Sequence, residues 1–240
     1  FLYSIVGHAG ASGYIACMVI FGKSVEIIKP TALILNIAVS SLNSLRFLKD
    51  GHLDKKTYKN FLIPILIFSI PSAILGGYLQ ISSEIIKLFL SIILFFSGIR
   101  FLFGKFFQTN TNLKFPKLPK TKFIYLTGIL LGLASGITGT GGGIFLTPLS
   151  ILLNWMPVKT VATVSSIFIF FNSLSGLSSW LISNNISNLK SIDNITIQIL
   201  IVLFFASIGS WLGSKKIGEN EVKIIISLIL FFASYKLIIS

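Results

Sequence analysis

The sequence predicts an all-α polytopic membrane protein built from two repeated halves of about four membrane segments each. Three observations predict this fold class. Hydrophobic residues make up 53% of the 240 residues and charged residues only 11%, which is too apolar for a chain with a water-solvated surface. Apolar stretches of about 20 residues, the length that crosses a bilayer, recur along the whole chain. The two halves also repeat one another in sequence.

Eight apolar stretches are candidate membrane segments, and they lie near residues 1–21, 30–47, 60–80, 84–104, 122–155, 158–182, 194–214 and 222–240. The connection at 105–121 has the Pro, Asn and Lys content of a linker, and we expect it to be cytoplasmic. The sequence therefore divides into a first transmembrane repeat at 1–104, a basic cytoplasmic linker at 105–121 and a second transmembrane repeat at 122–240. The chain begins at Phe1 rather than Met, and we expect the natural N-terminus further upstream.

A shift of 129 residues aligns the two halves, and it places Asn36 on Ser165 and Asn43 on Asn172. Matched Gly and Asn positions rarely recur by chance in apolar sequence, so we interpret the chain as a duplication. If the first segment of each half is a re-entrant hairpin, 15 of the 20 Lys and Arg residues fall on one side of the membrane, against 13 if all eight segments cross. The charges therefore favour hairpins and inverted repeats, an arrangement common among secondary transporters.

The first segment of each half contains a glycine-rich break, which is clearest from Gly139 to Gly143. Successive glycines leave backbone N–H groups accessible, and the helix that follows directs the positive end of its dipole at the break. Such a break binds anions, and at membrane depth it must line a cavity or be buried in protein. The alternative is that glycines only allow close helix packing, which is our interpretation of Gly128, Gly132 and Gly136.

Uncharged polar residues lie near both breaks. Asn36 and Asn43 are seven residues apart and share a helical face, as do Ser165 and Asn172. An Asn in hydrocarbon needs a partner, so it either joins helices or faces a wet cavity. Histidine as a residue type ordinarily titrates near neutrality, and His8 either faces that cavity or packs by hydrogen bonding. The predicted substrate-binding residues are His8, Gly10, Ser12, Gly13, Asn36, Asn43, Gly139, Thr140, Gly141, Gly142, Gly143, Ser165 and Asn172.

Composition disfavours several classes of function. The single cysteine, Cys17, excludes an internal disulfide and a cysteine metal cluster. No predicted span carries Asp, Glu, Lys or Arg in its interior, which disfavours a proton relay, and no acid–base pair or HExxH motif supports an intramembrane enzyme. We therefore expect no catalytic residue, no metal and no cofactor. The net charge of +13 lies in short connections, so we attribute it to membrane orientation rather than to nucleic-acid binding.

The glycine-rich break and the helix after it resemble the sulfite exporter TauE/SafE family, also described as the toluenesulfonate uptake permease family. The resemblance rests on SGITGTGGGIFLTPLSILLNW and VATVSSIFIFFNSLSG in the second half, and on VGHAGASGY and IKPTALILN in the first. The first half departs from the pattern at Tyr14, which would narrow that half of the site. The family positions carried over are Gly139, Gly141, Gly142, Gly143, Pro148, Ser165 and Asn172.

The resemblance implies a multi-pass transporter that moves small sulfur-containing anions, such as sulfite or sulfonates, across the bacterial inner membrane. The alternative from another class is a non-transporting membrane scaffold or assembly factor, in which the glycines serve packing alone. A membrane-embedded enzyme is a weaker third hypothesis. The sequence leaves open which sulfur anion moves, its direction, the coupling ion and the oligomeric state.

Overall fold

The structure is a computed structural model that describes residues 1–23, 25–79, 117–183 and 194–218, with scattered positions between 221 and 235. The predicted all-α fold is confirmed, because every regular element in these ranges is a helix. The predicted segment at 84–104, most of the linker and most of the segment at 222–240 lie outside the described residues. The helices are α1 (Leu2–Ile5), α2 (Ala11–Ile20), α3 (Val25–Lys49), α4 (Lys55–Tyr78), α5 (Thr121–Thr138), α6 (Gly143–Leu152), α7 (Val158–Ser183) and α8 (Ile195–Lys216).

Five of these helices, α3, α4, α5, α7 and α8, are long and apolar enough to cross a membrane. The predicted stretches at 1–21 and 122–155 are instead each divided into two helices by a glycine-rich break. Both halves have the same order of elements, a broken pair followed by two long helices, which is the order that a duplication requires. The residue-by-residue pairing of the halves stays a prediction.

The second break stops α5 and restarts the chain as α6. Gly139 caps α5 in the left-handed conformation with φ +69°, and Gly142 precedes α6 with φ +72°. A side chain is strained in this region of backbone space, which is why glycine occupies these positions. Pro148 lies inside α6 and does not end it. The first break has the same feature at Gly10, whose φ of +104° precedes α2.

Helix directions follow from contacts at one end of the bundle, which we call the basic end. Ser214 of α8 donates its hydroxyl to Asp50 Oδ2, 2.7 Å away, and its carbonyl accepts a hydrogen bond from Lys159 Nζ at 2.9 Å. The end of α3, the start of α7 and the end of α8 therefore meet there, so α3 and α7 run in opposite directions. The Ser214 hydroxyl is the main group that holds the pKa of Asp50 below its usual value, and Lys215 contributes.

The two broken segments enter the bundle from opposite ends. Lys117, just before α5, donates its backbone N–H to the carbonyl of Asn154, just after α6, at 3.2 Å, so α5 and α6 form a hairpin whose two ends meet. This hairpin starts at the basic end, because α5 packs in parallel against α4, which begins there. The α1–α2 pair enters from the opposite end, which we call the far end. α1 packs in parallel against the last part of α8 and so runs toward the basic end, and α2 leads back to the start of α3.

Candidate functional site

The two breaks converge on one small cavity between α1, α2, α3, α6 and α7. Its volume is about 10 Å³, which is room for about one water molecule. The cavity is therefore too small, as it stands in the structure, to hold an anion the size of sulfite. The lining residues are Tyr3, His8, Ala9, Gly10, Ala11, Ser12, Asn36, Thr140, Ile144 and Ile169.

The first turns of two helices border this cavity. α2 begins at Ala11 and α6 at Gly143, and the cavity is lined by Ala11 from one and by Ile144 from the other. The N–H groups of a first helical turn have no acceptor within their own helix, and the helix dipole adds partial positive charge there. Two such ends facing one cavity offer hydrogen-bond donors and positive potential without any charged side chain, a combination suited to an anion.

Two amide side chains of α3 fix the breaks in place. Asn36 Nδ2 donates to the carbonyl of Thr140 at 3.2 Å, and Asn43 Nδ2 donates to the carbonyl of His8 at 3.0 Å. Both Asn residues are fully buried. Each amide group therefore holds the backbone of a different half of the chain, and Asn36 is also part of the cavity wall.

A chain of three buried side chains links the two halves through α6. His8 Nε2 lies 2.6 Å from Thr147 Oγ1, and Thr147 donates its hydroxyl to Ser165 Oγ at 2.7 Å. His8 belongs to the first break, Thr147 to α6 and Ser165 to α7. A shift of either hairpin relative to α7 would break these hydrogen bonds. This series of hydrogen bonds therefore couples the position of the first break to that of the second.

The glycines of the second break lie where neighbouring atoms leave no room for a side chain. A Cβ atom at Gly141 would lie 2.6 Å from Ser173 Oγ and 2.9 Å from Ile169 Cγ2, and one at Gly142 would lie 2.8 Å from Phe168 Cε1. These contacts put the backbone of the break directly against α7. The glycines thus serve close packing against α7, and the binding of an anion by their N–H groups stays a prediction.

The structure brings some predicted site residues to the cavity and leaves others outside it. His8, Gly10, Ser12, Asn36 and Thr140 line it. Asn43 hydrogen-bonds to His8 of the wall, and Ser165 hydrogen-bonds to Thr147 behind it. Gly139, Gly141 and Gly142 of the second break, Gly13 of α2 and Gly143 at the start of α6 do not line the cavity. Asn172 lies apart, because its amide donates to Ser69 Oγ of α4 and to the carbonyl of Phe168. Tyr14 donates its hydroxyl to the carbonyl of Ala9, and its narrowing of this half of the site stays a prediction.

Lys29 is a residue that sequence reasoning missed. The predicted span began at residue 30, but α3 begins earlier, at Val25, and lays the Lys29 side chain against the second break. A Cβ atom at Gly139 would lie 2.9 Å from Lys29 Cγ. The side chain is half-buried, and its ammonium makes no hydrogen bond or ion pair within the described part of the chain. Lys29 therefore adds a full positive charge close to the break.

Thr147 and Tyr3 were also missed, because each lies in an apolar run with no local signal. Tyr3 contributes to the cavity wall, and its hydroxyl hydrogen-bonds to Ser12 Oγ at 2.7 Å. The described residues contain no group of three or more His, Cys, Asp and Glu side chains that would hold a metal ion.

A bundle of membrane-length helices with two broken segments meeting at one cavity is an arrangement found among membrane transporters. The chain belongs to the sulfite exporter TauE/SafE family, whose model matches residues 1–237, and the predicted resemblance is confirmed. It is 32% identical to a "Probable membrane transporter protein y4hK" of Sinorhizobium fredii, over 98% of this chain and 92% of that protein. It is 33% identical to a "Probable membrane transporter protein MJ0441" of Methanocaldococcus jannaschii, over 44% of this chain and 40% of that protein. No solved structure matches the chain.

Proposed function

We propose that the chain moves small sulfur-containing anions, sulfite among them, across the inner membrane of a bacterial cell. The observation that carries the proposal is the convergence of the first turns of α2 and α6 on one cavity. Donors from the backbone suit the oxygen atoms of sulfite and sulfonate groups, and no carboxylate lines the cavity to repel them. Family membership supports the same class of substrate.

Lys29 is a second observation that favours an anion as the transported species. The Lys29 side chain lies beside the second break, is half-buried and has no partner among the described residues. Its positive charge raises the local concentration of anions at the break. On this proposal the anion approaches along α3, passes Lys29, and reaches the N–H groups of the two helix ends. A cation would meet the same charges as a barrier.

The experiment that tests the proposal is transport by the purified protein in liposomes. Currents are recorded on a solid-supported membrane on exposure to sulfite, thiosulfate, sulfoacetate and chloride, with tracer flux as the readout for electroneutral exchange. We expect a saturable signal for a sulfur anion and none for chloride. Protein that is shown to be folded and that moves none of the sulfur anions would contradict the proposal and favour a scaffold role.

Asn36→Asp is the variant for this test. The new carboxylate places negative charge in the cavity wall and cannot donate to the carbonyl of Thr140, so we expect the signal to be abolished. Asn60→Asp makes the same chemical change at an exposed position near the start of α4 and serves as the matched control. A valine at Gly142 is less informative, because the clash with Phe168 would disturb the fold itself.

A further inference from the structure

Two buried hydrogen-bond acceptors beside the cavity have no donor among the residues that the structure describes. They are Asn36 Oδ1 and His8 Nδ1, on residues that are 0% and 2% exposed. Buried polar atoms in native proteins nearly always have a partner from protein, water or ligand, so this pair marks a place where a bound molecule donates hydrogen bonds. Both residues line the cavity.

The hydrogen-bond chain around His8 makes its Nδ1 an acceptor. Thr147 has one hydroxyl hydrogen and donates it to Ser165 Oγ, so its oxygen accepts a hydrogen bond from His8. His8 Nε2 must therefore carry the proton, and in the neutral ring Nδ1 is left with a bare lone pair. Thr147 acts here as a positioning residue, because it sets the tautomer of His8 without lining the cavity.

The orientation of the Asn36 amide is fixed in a similar way. Its NH₂ group donates to the carbonyl of Thr140 at 3.2 Å, and the opposite orientation would place two oxygen atoms against each other. Asn36 Oδ1 is therefore an acceptor as well. The cavity wall thus combines N–H donors at the first turns of α2 and α6 with two lone-pair acceptors from side chains.

A fully deprotonated anion suits only half of this wall. Its oxygen atoms accept from the N–H groups, but they would leave the lone pairs of Asn36 and His8 desolvated and without a donor. An oxyanion that keeps one acidic proton suits both halves better, because its bare oxygens accept from the N–H groups and its single O–H donates to one of the two acceptors. We propose that this acceptor pair selects oxyanions that carry an O–H group, which among the sulfur anions means hydrogensulfite, over anions of similar size that carry none.

This inference rests on the proposed function and names the chemical form of its substrate. Its test compares hydrogensulfite with methanesulfinate, which has the same charge and nearly the same shape but a methyl group in place of the hydroxyl. Both are measured near neutral pH as transport by the wild-type protein in liposomes. We expect kcat/KM to be at least about 100-fold higher for sulfite, because a site built to bind a hydroxyl strongly rejects the analogue that lacks it.

Thr147→Val tests the same point through a residue that does not line the cavity. Without the Thr147 oxygen the proton of His8 is free to move to Nδ1, which turns an acceptor into a donor, so the preference for sulfite should fall by about 10-fold. Thr163→Val is the matched control, because the Thr163 hydroxyl donates only to the carbonyl of Lys159 in its own helix. The control should keep the wild-type preference.

The outcomes are separable. Equal transport of methanesulfinate and sulfite by the wild-type protein would overturn the inference and leave the proposed function intact. Failure of the folded protein to move either anion, or any other sulfur anion, would overturn both. The wild-type comparison decides the matter even if the Thr147 variant does not fold.

Discussion

Lys29, Asn36 and Asn43 recur every seven residues along α3, and each faces one of the broken segments. Seven residues are close to two helical turns, so the three side chains share a face that extends about 21 Å along the axis. Along this face, Lys29 lies near the end of the bundle opposite the basic end, Asn36 lies at the cavity, and Asn43 holds the first break. This polar line is the route that we infer for the anion within the described part of the chain.

Replacement of Lys29 by Gln should weaken anion binding without unfolding the protein. The ammonium is half-buried, and we expect the KM for sulfite to rise by about 5-fold, which corresponds to about 1 kcal/mol. Lys29→Arg keeps the charge and should remain within about 2-fold of wild type. Lys23→Gln removes an exposed lysine from the same end of the bundle and is the control. An unchanged KM in Lys29→Gln would remove Lys29 from the route.

The sequence predicted which residues form the breaks. It predicted less well which neighbours the surrounding side chains contact. Gly10 and Gly139 were predictable because left-handed backbone favours glycine whatever surrounds it. The face shared by Ser165 and Asn172 was predictable from helical spacing, but spacing does not say which neighbour a face meets. Asn172 contacts Ser69 of α4 instead of the cavity, and this depends on how whole helices pack.

Among the elements, α4 and α5 pack closely against each other through glycines. Gly128, Gly132 and Gly136 lie against the backbone of Ile65, Ser69 and Ala73, respectively. The sequence predicted a packing role for these three glycines from their four-residue spacing, and the structure shows it. Without side chains between them, the two backbones approach closely enough for dispersion forces to hold the helices together in an apolar solvent.

A methyl group on this face should therefore destabilise the bundle. A Cβ atom at Gly132 would lie 2.8 Å from Ser69 Cα, so Gly132→Ala forces α4 and α5 apart, and we expect a loss of about 1–3 kcal/mol. Gly176→Ala in α7 is the control, because the nearest atom to its Cβ is 3.5 Å away and alanine favours helix. Thermal unfolding in detergent should show a lower midpoint for the first variant and an equal or higher one for the second. Equal midpoints for both would show that α4 and α5 adjust freely.

At the scale of the whole molecule, most of the basic side chains that the structure describes lie at one end of the bundle. Eleven of the thirteen described Lys and Arg residues belong to the basic end, and two, Lys23 and Lys29, belong to the far half. The positive-inside rule assigns the end with more Lys and Arg to the cytoplasm. The hairpin formed by α5 and α6 then enters from the cytoplasm, and the α1–α2 pair enters from the opposite side. The eleven Lys and Arg residues of the basic end are Arg46, Lys49, Lys55, Lys56, Lys59, Lys117, Lys120, Lys122, Lys159, Lys215 and Lys216.

This orientation is measurable by cysteine labelling in intact cells. Cys17 is exposed, so it is first replaced by serine, and single cysteines are then introduced at two exposed positions as Lys23→Cys and Lys56→Cys. We expect a membrane-impermeant maleimide to label position 23 from outside and to reach position 56 only after the membrane is permeabilised. Labelling of position 56 in intact cells, with position 23 protected, would reverse the orientation, and the anion would then meet Lys29 from the cytoplasm.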